Sequence, residues 1–133
     1  LPPSGGNTYF ANQYLAYDTL APELKKRLEG RMLIHDETYN SAGQLRKGFK
    51  EVTDPREAPG ARHPIFRTHP ITGKRALYLG RRRNGYILGL PLEESERLLD
   101  ALWAHASRPE FVWGQEWQLG DTLIWDNRCL IHR

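Results

Sequence analysis

GDTLIWDNRCLIHR, residues 120–133, is the stretch that says most about the fold of this chain. Gly-Asp and Asp-Asn are turn pairs, and an apolar run follows each of them, at 122–125 and again at 129–132. The pattern predicts two short strands joined by a tight turn. Such a hairpin would hold the imidazole of His132 on a rigid element, as a metal ligand requires. A core or rim histidine is the alternative interpretation.

The composition predicts one globular domain. The chain has 133 residues, 39% of them hydrophobic, a mean hydropathy of −0.66 and a net charge of +3. The net charge is modest, and the basic residues do not form the stripe with interleaved aromatic residues that nucleic-acid binding needs. No apolar run has the length of a membrane span. The single Cys129 excludes an internal disulfide. We therefore expect a cytoplasmic protein without nucleic-acid or membrane partners.

Further along the chain, hydrophobic spacing predicts helices and many short strands. Helices are expected at 12–19, at 22–29 behind Pro22, and from Pro91 to just before Pro109. Strands are expected at 31–36, 64–68, 76–79, 85–90, 111–113 and 116–119. Residues 38–62 should form a long surface loop with one helical stretch at 42–50. The pattern predicts a jelly-roll-like double sheet with helices packed outside.

Four motifs occur in order along the chain: PPSGGNT at 2–8 with AYD at 16–18, HPIFRTHPITGK at 63–74, PEF at 109–111 with Trp117, and WDNR at 125–128 followed by His132. Together they resemble the TauD/TfdA family of iron(II)- and 2-oxoglutarate-dependent dioxygenases. The resemblance covers essentially the whole chain. It implies an α+β, mainly β fold, a cupin-like double-stranded β-helix with flanking helices. The chain would carry its central and C-terminal portion as one partial domain, incomplete at both ends.

The resemblance also implies the cofactors and two site residues. His132 matches the distal iron(II) ligand of the family, and Thr8 matches the threonine that binds 2-oxoglutarate. The family's facial triad needs a further histidine and a carboxylate, supplied as a His-x-Asp/Glu pair, and an arginine beyond the distal histidine clamps the cosubstrate. In the family the pair lies before the segment that matches residues 2–8, and the arginine lies about ten residues beyond the distal histidine. We therefore expect both to fall outside the 133 residues and the chain alone to be inactive.

Substrate-binding candidates follow from the same resemblance. His35 and Tyr39 lie where the family's substrate loop begins, and Arg83 and Tyr86 lie further on. An arginine there would suit an anionic substrate, although the run Arg81–Arg83 is as readily a solvated surface. Asp126, Asn127 and Arg128 are expected to shape a turn, and His63, His69 and His105 to be structural or surface residues.

Two functions remain open at this stage. The first is a dioxygenase that uses O2 to hydroxylate a small anionic organic substrate, of the taurine or sulfonate, alkyl sulfate or aryloxyalkanoate type, with release of succinate and CO2. The second is a non-catalytic jelly-roll module that has lost its metal and binds a partner. Homo-oligomer formation is left open as well.

Overall fold

The computed structural model describes residues 5–133, which form eight short strands and three helices. The strands are β1 (Thr8–Asn12), β2 (Met32–Asp36), β3 (Gly60–Pro64), β4 (Phe66–Thr68), β5 (Arg75–Leu77), β6 (Tyr86–Ile87), β7 (Val112–Gln115) and β8 (Leu130–His132). The helices are α1 (Gln13–Asp18), α2 (Pro22–Leu28) and α3 (Leu92–Ala106). The longest helix has 15 residues, and none in this described part of the chain could span a bilayer.

The strands form three small antiparallel sheets. Strand β1 lies between β7 and β8, strand β2 lies between β3 and β6, and β4 pairs with β5. Strand β1 runs directly into α1, where the Asn12 side chain accepts hydrogen bonds from the backbone N–H groups of Tyr14 and Leu15. This N-cap satisfies two of the free N–H groups at the start of the helix, so the end of β1 is set by local chemistry.

Helix α3 closes one side of the core. Its apolar residues recur every three to four positions, and this face is buried, with Leu102 and Ala106 fully inaccessible. Glu93 and Glu94 occupy the first turn, where the helix dipole favours negative charge. The Ser95 hydroxyl accepts a hydrogen bond from the Ile87 N–H at 2.9 Å, which ties the helix to β6. The buried face of α3 thus packs against the core, and the helix is fixed to β6 by this hydrogen bond.

The prediction of a helix at 42–50 is wrong. These residues form turns, with one isolated bridge between Tyr39 and Leu45. The Asn40 side chain accepts from the N–H groups of Ala42 and Gln44, offering the backbone an alternative to helical hydrogen bonds. Gly43 has a φ of +78°, a left-handed conformation that no right-handed helix contains.

The prediction of a hairpin at 122–132 is also wrong. Residues 116–125 contain no strand, and Ile124 is 90% exposed. Strand β8 pairs with β1 instead, so that His132 lies opposite Phe10. A strand that finds its partner some 120 positions away is decided by tertiary packing, which local turn signals cannot reveal. The β4–β5 hairpin with its turn at 69–74 does form as expected.

Candidate functional site

Thr8 and His132 lie on the same face of the β7–β1–β8 sheet. Side chains alternate along a strand, so Thr8 and Phe10 point to one side, and His132 is the direct antiparallel partner of Phe10. The Phe10 ring centre is 6.1 Å from that of His132 and 5.3 Å from that of Trp125. The structure therefore brings the two residues expected to bind cosubstrate and metal onto one aromatic surface.

The Thr8 hydroxyl oxygen already accepts one hydrogen bond. The donor is the indole Nε1–H of Trp117, at 3.0 Å. Trp117 can only donate, so the hydroxyl proton of Thr8 remains available, and no acceptor for it lies within residues 5–133. A hydroxyl oriented in this way can donate to a carboxylate.

The His132 imidazole is exposed and makes no hydrogen bond to other side chains in the described range. Its ring lies 5.1 Å from the Trp125 ring, centre to centre. The histidine also lines a cavity of about 260 Å³ together with His35, Tyr78 and Arg81. A lone pair on either ring nitrogen is thus free to bind a ligand from solvent.

His35 forms the packed wall of this cavity. Its ring centre lies 4.7 Å from that of His63 and 5.1 Å from that of Tyr78, and its buried Nε2 has no hydrogen-bond partner among residues 5–133. Burial, followed by the charge of His63, lowers the pKa of His35 from 6.5 to about 4. The ring is therefore neutral at pH 7 and adds no positive charge to the cavity wall.

The other substrate-binding candidates are occupied elsewhere. The Arg83 guanidinium lies 3.4 Å above the Tyr39 ring centre and donates to the Gly43 carbonyl at 3.3 Å, so these residues fasten the 38–48 loop. Tyr86 is 7% exposed, and its hydroxyl donates to the Leu90 carbonyl. These contacts give no support to a role for Tyr39, Arg83 or Tyr86 in substrate binding, which stays a prediction. Arg81, which was not singled out as a substrate ligand, lines the cavity instead.

A polar cluster beside the site could not be seen in the sequence. His69 is 5% exposed, and its Nε2 lies 2.8 Å from Asp126 Oδ2. Asp126 also binds the Arg128 guanidinium through both oxygens and accepts from the Arg128 N–H, forming the turn that was expected here. Arg128, and next His69, hold the pKa of Asp126 well below its ordinary value. The two partners are 57 positions apart, so no local signal could have indicated the pair.

The same cluster includes Cys129, whose sulfur lies within 4.8 Å of ligand atoms of His69 and Asp126. This grouping could suggest a metal site. However, His69 Nδ1 accepts hydrogen bonds from the backbone N–H groups of Ile71 and Thr72, at 3.1 and 3.2 Å. A metal-bound histidine almost always donates from its second nitrogen, and here that nitrogen accepts. The arrangement fits a hydrogen-bonded structural cluster and does not fit a metal centre.

Comparison with known proteins places the chain among relatives of one kind. The family described as "Taurine catabolism dioxygenase TauD, TfdA family" matches residues 1–133. The alpha-ketoglutarate-dependent 2,4-dichlorophenoxyacetate dioxygenase of Burkholderia sp. (strain RASC) is 37% identical over 135 residues, which cover 100% of this chain and 44% of that protein.

Solved structures agree with the sequence match. A taurine dioxygenase from Burkholderia xenovorans superposes with a TM-score of 0.77 at 35% identity, covering 99% of this chain and 41% of the other. AAD-2, crystallised with Mn(II) and N-oxalylglycine, superposes with a TM-score of 0.80 at 35% identity, covering 100% of this chain and 52% of the other. The chain thus spans about half the length of these proteins, and their jelly-roll fold confirms the expected fold class. The chain belongs to the TauD/TfdA dioxygenase family.

Proposed function

We propose that the protein carrying this chain is an iron(II)- and 2-oxoglutarate-dependent dioxygenase that hydroxylates a small anionic organic substrate. The observation that carries the proposal is the register of β1 and β8, which presents Thr8 and His132 on one face of a sheet. The names of the relatives support it, since one is an alpha-ketoglutarate-dependent dioxygenase, and N-oxalylglycine, an oxalyl-containing diacid like 2-oxoglutarate, occupies another together with Mn(II).

The residues fit part of such a site. A neutral imidazole suits Fe(II), and the exposed His132 ring offers one of the three protein ligands that a facial triad needs. Thr8 would donate its free hydroxyl proton to a carboxylate of 2-oxoglutarate, while Trp117 holds the oxygen in place. When bound, iron with 2-oxoglutarate and O2 supplies the oxidising chemistry that yields succinate, CO2 and the hydroxylated substrate. The aromatic side chains of Phe10, Trp113 and Trp125 give this face an apolar surface.

The 260 Å³ cavity is the proposed substrate site. Arg81 lines it, and within the described part of the chain one of its terminal nitrogens is engaged, with the Tyr39 carbonyl at 2.7 Å. The guanidinium can therefore also pair with an anionic group. The His35 ring, packed against Tyr78, forms part of the cavity wall and so limits the shape of the substrate. The rings of Tyr78 and Trp103 offer an apolar surface to the rest of the molecule. A sulfonate, an alkyl sulfate or an aryloxyalkanoate meets these requirements.

The test is succinate formation by the full-length gene product with Fe(II), 2-oxoglutarate and each substrate class in turn. We expect substrate-dependent turnover, its loss in His132→Ala, and a rise in KM for the substrate in Arg81→Ala. His105→Gln is the matched control, because His105 bonds to the Ala16 carbonyl and does not line the proposed cavity, and glutamine retains that donor. Turnover that survives His132→Ala would favour a site elsewhere, and no turnover with any class would favour the non-catalytic module.

We also propose that the protein is cytoplasmic, since its single cysteine suits a reducing compartment. Cell fractionation followed by detection of the protein tests this directly. Size-exclusion chromatography with light scattering determines whether the full-length protein is a monomer or a homo-oligomer.

A further inference from the structure

The turn that leads into β8 is held from a distant part of the chain. His69 lies in the turn between β4 and β5, and its ring reaches Asp126 with a separation of 2.8 Å between Nε2 and Oδ2. Its Nδ1 accepts from two backbone N–H groups and so carries no proton. The single ring proton of neutral His69 is therefore on Nε2 and is donated to Asp126.

The turn passes this restraint to His132 through a short connection. The Asp126 carbonyl accepts from the Cys129 N–H at 3.3 Å, and the Cys129 carbonyl accepts from the Gln13 N–H at 2.9 Å. Strand β8 begins at the next residue, Leu130, and its pairing with β1 sets His132 opposite Phe10. Only three residues lie between Asp126 and the strand that carries His132. A shift of Asp126 would therefore be transmitted to that strand.

We propose that His69 is a positioning residue for the metal site, acting through Asp126 and the 126–129 turn on the orientation of His132. The inference rests on the proposed function, because it concerns His132 as an iron ligand. His69 itself touches neither the metal face of the sheet nor the 260 Å³ cavity. Its nearly complete burial and its fixed tautomer make it a rigid support.

Two substitutions separate this role from a local one. In His69→Gln the side-chain N–H₂ occupies the place of Nε2–H and can still donate to Asp126, while the acceptor for the 71 and 72 N–H groups is lost. In His69→Asn the carbonyl oxygen occupies the place of Nδ1 and keeps those two bonds, while the donor to Asp126 is lost. If the bonds to the 71 and 72 N–H groups are what matters, His69→Asn should be less damaging than His69→Gln. If the bond to Asp126 is what matters, His69→Gln should be less damaging.

The measurements are Fe(II) affinity of the full-length protein in an anaerobic titration, the charge-transfer absorption of the Fe(II)–2-oxoglutarate complex, and thermal unfolding without metal. We expect His69→Asn to weaken Fe(II) binding about tenfold and to change the absorption band. Loss of a residue hydrogen-bonded directly to a metal ligand costs ~10–100-fold in affinity, and His69, which acts through Asp126 and the turn, should lie at the lower end of that range. His69→Gln should stay within about threefold of the wild type by the same reasoning.

The remaining outcomes overturn the inference. Equal Fe(II) affinity and an equal absorption band in both variants, with only the unfolding temperature lowered, would show a purely structural role. A larger loss in His69→Gln than in His69→Asn, or failure of both variants to fold, would assign His69 to its own turn. His132→Ala is measured in parallel: if it retains full Fe(II) affinity, the proposed function itself is wrong, whereas its loss alongside an unaffected His69→Asn refutes only the positioning role.

Discussion

Gly80 packs against the His35 ring, and replacing it with alanine should disturb one wall of the proposed substrate cavity. A Cβ placed on Gly80 would lie 2.7 Å from His35 Cγ and 2.9 Å from its Nδ1. Ordinary contact begins near 3.4 Å, so the ring would have to move by about 0.7 Å. His63 and Tyr78 pack against the same ring and limit that movement.

The cost follows from this overlap. Forcing an extra methyl group into a packed site typically costs ~1–3 kcal/mol in the free energy of unfolding, so we expect Gly80→Ala to lie in this range. With a urea dependence of ~1–3 kcal/mol per molar, the unfolding midpoint should fall by roughly 1 M. Because His35 must move, the KM for the substrate should rise while Fe(II) affinity is unchanged.

The double variant decides whether the clash is the cause. In a His35→Ala background the three atoms nearest to the added methyl group are removed, so Gly80→Ala should there cost less than about 0.5 kcal/mol, as for an ordinary surface change. Urea unfolding of the wild type, both single variants and the double variant of the full-length protein measures this coupling. Strictly additive effects would refute the reasoning, since they would show that Gly80 and His35 do not constrain each other.

Three further predictions follow. Because the pKa of His35 is about 4 in the folded protein against 6.5 unfolded, only the unfolded chain gains this proton between these values; stability should fall as pH drops from 6.5 towards 4, and His35→Gln should flatten that part of a urea-midpoint profile. Leu102→Ala should cost ~2–5 kcal/mol, because Leu102 is fully buried in the core, whereas Ile71→Ala at an 80% exposed position should change the free energy of unfolding by less than about 0.5 kcal/mol. The isolated 133-residue chain should aggregate or bind a hydrophobic dye strongly, because Trp113, Leu119 and Ile124 are exposed; a monomer with a cooperative thermal transition and little dye binding would contradict this.

Local chemistry was enough to predict the three α-helices that form and one hairpin, although it also predicted a helix at 42–50 that does not form. Pro22 at the first turn of α2, the glutamates at the start of α3 and the apolar spacing along it act between near neighbours, and each helix forms where these signals stand. The β4–β5 hairpin follows in the same way from its turn residues. The order of the family motifs likewise indicated the fold class before any contact was known.

Tertiary structure alone decided how the site is assembled. Strand β8 pairs with β1 rather than with its neighbour, and that choice places His132 beside Phe10 on the face that carries Thr8. The partnership of His69 with Asp126, and the stacking of Arg83 on Tyr39, likewise join residues more than 40 positions apart. Strand pairing and buried polar contacts gain their stability from packing between distant segments, which a linear pattern of residues does not encode locally.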